Sequence, residues 1–231
     1  MVTDAGDGLA DGTRQQILRS ASRAFCERPF SVVSLDDIVA RAGLSKGAMY
    51  FHFQSKHALA MAVLFEHAAT IQALLTERIN HQLSGLESLI EASYFIAAQD
   101  VHSRGIRAGL HLLEQIGRAD GVQEKIFTQW FPAITSMIQR GIEDGDVIEG
   151  TDPEGLSRLL MSLYMGLRQT ANLDVPQEFF THFESAWMLI LRGFTHPNRL
   201  DYFVRFVRRC TAVAKNNESP RSTYQERSSV S

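Results

Sequence analysis

The chain has 231 residues, of which 45% are apolar and 21% charged, with a net charge of −3. That is ordinary for a globular chain able to bury a sizeable core, and no run of eighteen uncharged apolar residues is present to suggest a membrane span. The start lacks the basic and then apolar order of a signal peptide, and the two cysteines, Cys26 and Cys210, lie far apart in no metal or redox spacing, so a reduced intracellular protein is expected.

In chain order, residues 1–12 are rich in Gly, Asp and Ala and are expected to be disordered. A first helix is predicted from Thr13 to Arg28, with Ile17, Leu18, Ala21, Ala24 and Phe25 on its inner face and Pro29 closing it. After a connector, residues 30–33, the segment Ser34–Lys56 reads as two short helices, a tight turn between them and a third helix opening behind. Ser34 can N-cap the first, and Asp37 three residues later completes a capping-box-like pair. Leu35, Ile38, Val39 and Ala42 follow the i, i+3, i+4, i+7 spacing of one apolar face, and Gly43 stands where a positive φ would end the helix. Ser45 can cap the next helix, so the segment has the form of a helix-turn-helix.

The second short helix, Ser45 to Phe53, turns Ala48, Met49 and Phe53 toward the first. Lys46, Gly47, Tyr50 and Phe51 share the opposite face, an odd set for a solvated helix. It suits a surface pressed on a duplex: glycine permits close backbone approach, lysine reaches a guanine edge or phosphate, and tyrosine donates to phosphate. The plainer alternative is a helical hairpin in an all-α core. Charge favours the duplex, because Thr13–His57 holds seven Lys or Arg against three acidic residues, whereas residues 58–217 hold fourteen against eighteen.

Ser55 caps a fourth helix predicted to run to about Asn80, with Lys56 in the first turn, where a helix N-terminus attracts anions. Helical patterns then occupy about 84–102, 105–117, 121–145, 152–173, 177–195 and 199–215, separated by breakers that include Pro176 and Pro197. Residues 156–171 and 179–194 have faces too apolar for isolated helices, as an antiparallel hairpin with a further partner would. The tail from Glu218 reads as disordered. The fold class is therefore all-α: a three-helix DNA-binding domain at 13–58, a larger helical domain at 59–217, and flexible ends.

The segment S-L-D-D-I-V-A-R-A-G-L followed by S-K-G-A-M-Y-F-H-F-Q-S-K resembles the N-terminal domain of TetR-type transcriptional regulators, over about Thr13 to Leu59. The resemblance implies that Ser45, Lys46, Gly47, Tyr50, Phe51, His52 and Lys56 contact double-stranded operator DNA, with Tyr50, His52 and Lys56 clamping its backbone. It implies a homodimer through the C-terminal hairpin, a small-molecule effector, no membrane partner and no cofactor. F-T-Q-W (127–130) and A-W-M-L-I-L-R-G-F (186–194) further resemble the γ-butyrolactone-receptor branch, in which the tryptophan matching Trp130 stacks on the signalling lactone. Trp130 precedes Pro132, which is expected to kink its helix beside a cavity. Phe95, Gln99, His111, Met137, Leu163 and Tyr164 are further effector-contact candidates, each with an ordinary core role as its alternative.

No catalytic or metal-binding residues are predicted. The eight histidines form no i, i+4 pair and no H-E-x-x-H, and nucleophile-elbow and phosphate-loop motifs are absent. The expected function is a cytoplasmic, ligand-responsive repressor that binds a palindrome as a homodimer. The competing reading is a helical ligand- or protein-binding dimer without operator binding.

Overall fold

The computed structural model describes residues 4–78, 82–119 and 121–216, with side chains from Gly12 onward. Among these residues it has ten helices: α1 (Asp4–Glu27), α2 (Leu35–Ala42), α3 (Lys46–His52), α4 (Lys56–Glu77), α5 (Gly85–His102), α6 (Arg104–Gln115), α7 (Val122–Glu143), α8 (Pro153–Thr170), α9 (Pro176–Phe194) and α10 (Pro197–Asn216). An isolated antiparallel bridge joins Val147 to Thr195. The all-α expectation holds.

Two local expectations are corrected. Residues 4–12, expected to be disordered, extend α1 instead; Ala and Leu in that stretch are strong helix formers and offset its glycines. Pro176 and Pro197 do not lie between helices but open α9 and α10. The first position of a helix needs no N–H and suits the fixed φ of proline. Separately, α4 is long and apolar enough to cross a membrane by length and composition alone, yet Leu59, Ala60, Val63 and Leu64 of it are fully or almost fully buried. The tail from Glu218 lies outside the described residues.

Packing divides the chain into two compact units. One unit takes the described residues of Met1–Ile71 together with Ser103–Phe127; the other takes those of Gln72–His102 and Thr128–Ser231. The first unit therefore includes α6, which packs along α1. Gly105 and Gly109 of α6 present bare backbone to α4. A Cβ on Gly105 would come within 2.4 Å of the His67 ring, and one on Gly109 within 2.7 Å of the His67 Cβ. His67 Nε2 lies 3.3 Å from Ser22 Oγ of α1, so one half-buried histidine touches three helices. Burial pushes its pKa down, opposed by the charge of Glu66.

In the second unit an aromatic core runs along α9, where Phe179, Phe180, Phe183 and Trp187 are all buried. Tyr94 of α5 stacks on Phe180 and its hydroxyl meets Thr211 Oγ1 of α10 at 2.7 Å. A fully buried ion pair, Arg168 Nε donating to Asp100 Oδ2 at 2.5 Å, ties α8 to α5. Gly85 is required by close approach: a Cβ there would sit 2.2 Å from Gly141 N of α7.

Candidate nucleic-acid interface

The helix-turn-helix, α2 and α3 (hereafter the reading pair, after its expected role), is built from capped short helices. Ser34 accepts from Asp37 N at 3.1 Å while its own N–H donates to Asp37 Oδ2 at 3.3 Å, the reciprocal box the sequence anticipates. Those bonds, led by the Ser34 backbone N–H, hold the Asp37 carboxyl below its usual pKa. Gly43 ends α2 at φ 66°, a left-handed conformation that favours glycine. Ser45 accepts from Ala48 N at 3.1 Å and so starts α3 two residues later.

Side chains of α1 and of Arg28 just after it then fix the pair in place. Gln16 donates to the Ala42 carbonyl at 2.7 Å, supplying one of the acceptors left over at the end of α2. Arg28 pairs with Asp37 at 3.1 Å and Arg41 with Glu27 at 2.9 Å. The Arg41 hydrogen bond keeps the Glu27 pKa low, so both charges persist at neutral pH. Met49 of α3 is completely buried and Phe53 nearly so, beneath the guanidinium of Arg14 at 5.5 Å. Ala48 is half-buried. The inner face is as expected from the periodicity.

The outer face of α3 is exposed. Tyr50 keeps 54% of its surface accessible and Phe51 80%, with the Phe51 ring edge-on to half-buried His52 at 5.0 Å. Lys46 is also exposed, but its Nζ reaches both carboxylate oxygens of Asp36 at 2.8 and 2.9 Å. That hydrogen bond and the charge of Asp36 raise the Lys46 pKa, so the side chain stays cationic. A pair this exposed adds little stability and is readily exchanged for another anion. Gly47 is exposed, and a Cβ on it would meet only Ser45 Oγ at 3.8 Å. The fold itself does not require glycine there.

Lys56 is half-buried, and its ammonium donates to the carbonyls of Phe30 at 2.8 Å and Val33 at 2.9 Å, 4.4 Å from the Phe30 ring centroid. The anion-attracting position in the first turn of α4 is thus occupied by a cation already serving the chain's own backbone.

The effector candidates divide between the units. His111 lies on α6 in the first, whereas Phe95, Gln99, Trp130, Met137, Leu163 and Tyr164 belong to the second. Trp130 is buried at 2% exposure in a helix assigned without interruption through Pro132. Met137 is fully buried in the hydrophobic core and partly accounted for by packing. Tyr164 donates to Asp100 Oδ2 at 3.0 Å beside the buried arginine, and Phe95 lies 3.7 Å beneath the Arg78 guanidinium. Leu163 and Gln99 are half-buried. The Asp100–Arg168 pair escaped the sequence reading, though its signal was visible as single charges in the apolar runs FIAAQDV and YMGLRQT. Asp36 meets Lys46 ten residues away, beyond the spacing that a helical pattern reveals.

The geometry defines an all-helical protein with a capped helix-turn-helix whose second helix presents an exposed, partly basic face. Residues 17–63 match the profile of bacterial regulatory proteins of the tetR family. It is 26% identical over 186 residues to the A-factor receptor protein of Streptomyces griseus, an alignment covering 80% of this chain and 64% of the relative. Among solved structures it is similar to a γ-butyrolactone receptor (ArpA-like protein), with a TM-score of 0.71, 26% identity and coverage of 88% of this chain and 98% of the other. It is also similar to the TetR family protein CprB from Streptomyces coelicolor in complex with its operator, with a TM-score of 0.72, 28% identity and the same coverages. The similar proteins are regulators and receptors, not enzymes.

Proposed function

We propose that the chain is a cytoplasmic, ligand-responsive transcriptional repressor that binds a palindromic operator as a homodimer and is released by a small, mainly apolar effector of the γ-butyrolactone type. The outer face of α3 carries the reading. Tyr50 and Phe51 leave apolar ring surface in water, and Gly47 occupies the first turn of α3, where alanine would fit and is the better helix former. A fold left to itself has no use for that combination. A major groove does, because the backbone must come close and flanking aromatics and hydroxyls must meet sugar, phosphate and thymine methyls. In this reading Lys46 exchanges Asp36 for a base edge or phosphate, Ser45 and His52 flank it, and Tyr50 donates to phosphate.

The same reasoning supports a second copy as partner of α8 and α9. Leu159 and Leu189 are exposed at 54% and 75%, and Gly166 and Gly193 have open space where a Cβ would stand. Small residues and leucines on adjacent helices favour close helix packing in a four-helix arrangement. The effector assignment is supported by the named lactone receptor among the similar structures and by buried Trp130. Titration with a duplex selected by the protein tests the reading. Lys46→Ala should weaken binding about tenfold and relax sequence preference. Trp130→Ala should leave duplex binding intact and abolish release by a synthetic γ-butyrolactone. A Lys46→Ala protein that binds as the parent does would remove α3 from the interface.

A further inference from the structure

Three acidic side chains lie between Thr13 and His57, and two of them serve the fold. Asp37 closes the capping box with Ser34 and pairs with Arg28 at 3.1 Å, and Glu27 holds Arg41 at 2.9 Å. Asp36 is placed differently. It stands exposed in the first turn of α2 and meets Lys46, the first residue of α3, with Oδ1 and Oδ2 at 2.8 and 2.9 Å from Nζ. The Lys46 and Asp36 side chains keep 65% and 68% of their surface accessible. An ion pair so open to water adds little to stability, so the fold gains almost nothing from an acid on this face. A duplex approached by Lys46 must meet the Asp36 carboxylate as well, since the two groups are in contact. An isolated phosphate is repelled by that carboxylate, and the pair offers it no net charge.

The major-groove edge of a G·C pair is a different partner. It presents two acceptors, guanine N7 and O6, beside one donor, the cytosine N4 amino group. An ammonium has three donors, and Asp36 engages this one through both oxygens. With one donor kept on Asp36, the other two match guanine N7 and O6, and the freed carboxylate oxygen accepts from cytosine N4. On an A·T pair an amino donor takes the place of O6, so the ammonium loses an acceptor there. On the reading that α3 enters a major groove, we propose that Asp36 is a specificity-determining residue, which reads one G·C pair of each half-site jointly with Lys46 and disfavours contact with phosphate elsewhere. A repulsive group of this kind weakens binding to every sequence that cannot satisfy it, and so widens the gap to the one that can.

Selection from random double-stranded DNA, then titration of the full chain with the selected duplex and with a duplex of random sequence, tests this. The parent should select a G·C pair at one position of each half-site, a preference that Lys46→Ala loses. Asp36→Ala should discriminate about tenfold less at that same position. It should also bind the random-sequence duplex more tightly, with a log–log salt slope steeper by about 0.9, because the freed ammonium then neutralises a phosphate. Asp36→Asn, which keeps the shape and loses the charge, should admit A·T at this position, since a carboxamide pairs with adenine N6 and N7. A merely structural Asp36 would give a lower urea midpoint, weaker binding to both duplexes and an unchanged motif, and that result would overturn the proposal. So would an Asp36→Ala protein that keeps the parent's motif and salt slope. If the parent selects no duplex, the α3 reading itself fails and takes this proposal with it; a parent motif left unaltered by both Asp36 substitutions removes this proposal alone. If Asp36→Ala does not fold, the motif selected by Asp36→Asn decides.

Discussion

Gly47 stands on the exposed face of a helix, where a Cβ would have only Ser45 Oγ near it, at 3.8 Å. Gly47→Ala should therefore raise folding stability by about 0.5–1 kcal/mol, read as the urea midpoint, while weakening duplex binding. Opposite signs in the two measurements would mark a residue kept for a partner; a loss in both would mean the fold needs glycine there. His67 is a different case, since its surroundings come from the fold itself. Burial lowers its pKa below the unfolded value of about 6.5. As pH falls through that value, the unfolded chain takes up a proton before the folded one does. Stability is thus complete above about pH 6.5 and declines below it, toward the lowered folded pKa. Thermal melts from pH 8 to pH 5 should show the decline in the parent and a smaller one in His67→Gln. Lys56 shows how a residue's partners differ from what its position suggests. Its place in the first turn of α4 was legible in the sequence, but the carbonyls that occupy it come from a connector more than twenty residues upstream, beyond any local pattern.

At the scale of elements, the caps and turns of the reading pair were legible because each depends on neighbours within four residues: Ser34 with Asp37, Gly43 at its positive φ, Ser45 with Ala48 N. The association of α6 with α1 was not, because the glycines of α6 look like breakers or weak helix formers until the helix beneath them is known. Their two sites should respond differently to alanine. At Gly109 the added Cβ meets the His67 Cβ, which cannot move without α4, whereas at Gly105 it meets the movable ring. Overpacking costs about 1–3 kcal/mol against about 1 kcal/mol gained in helix propensity. Gly109→Ala should therefore destabilise the protein by about 1–2 kcal/mol in urea denaturation, and Gly105→Ala should be close to neutral. Equal losses would mean that α4 and α6 are not held together through His67. The buried Asp100–Arg168 pair was illegible for a related reason: nothing in either helix alone says which charge turns inward to meet the other.

At the scale of the whole molecule, a net charge of −3 conceals a basic first segment and an acidic remainder, which only the division by segment separates. Where the chain divides by packing was less legible, since α6 follows α5 in sequence yet belongs to the unit that carries the reading pair. Dimerisation is the claim that belongs to this scale. Leu189→Glu, which places a charge on the exposed face of α9, should shift sedimentation from dimer to monomer and leave the helical circular dichroism unchanged; a persisting dimer would move the interface elsewhere. A ligand that releases such a dimer must discriminate between its two arrangements, by about 5.5 kcal/mol for a shift from 1:99 to 99:1. The central claim is that two copies of the α3 face read one duplex, and selection from random double-stranded DNA tests it most directly. The account predicts enrichment of a palindrome whose half-site centres lie about 34–36 Å apart, lost in Lys46→Ala. Enrichment of single, unpaired sites, or none at all, would contradict it.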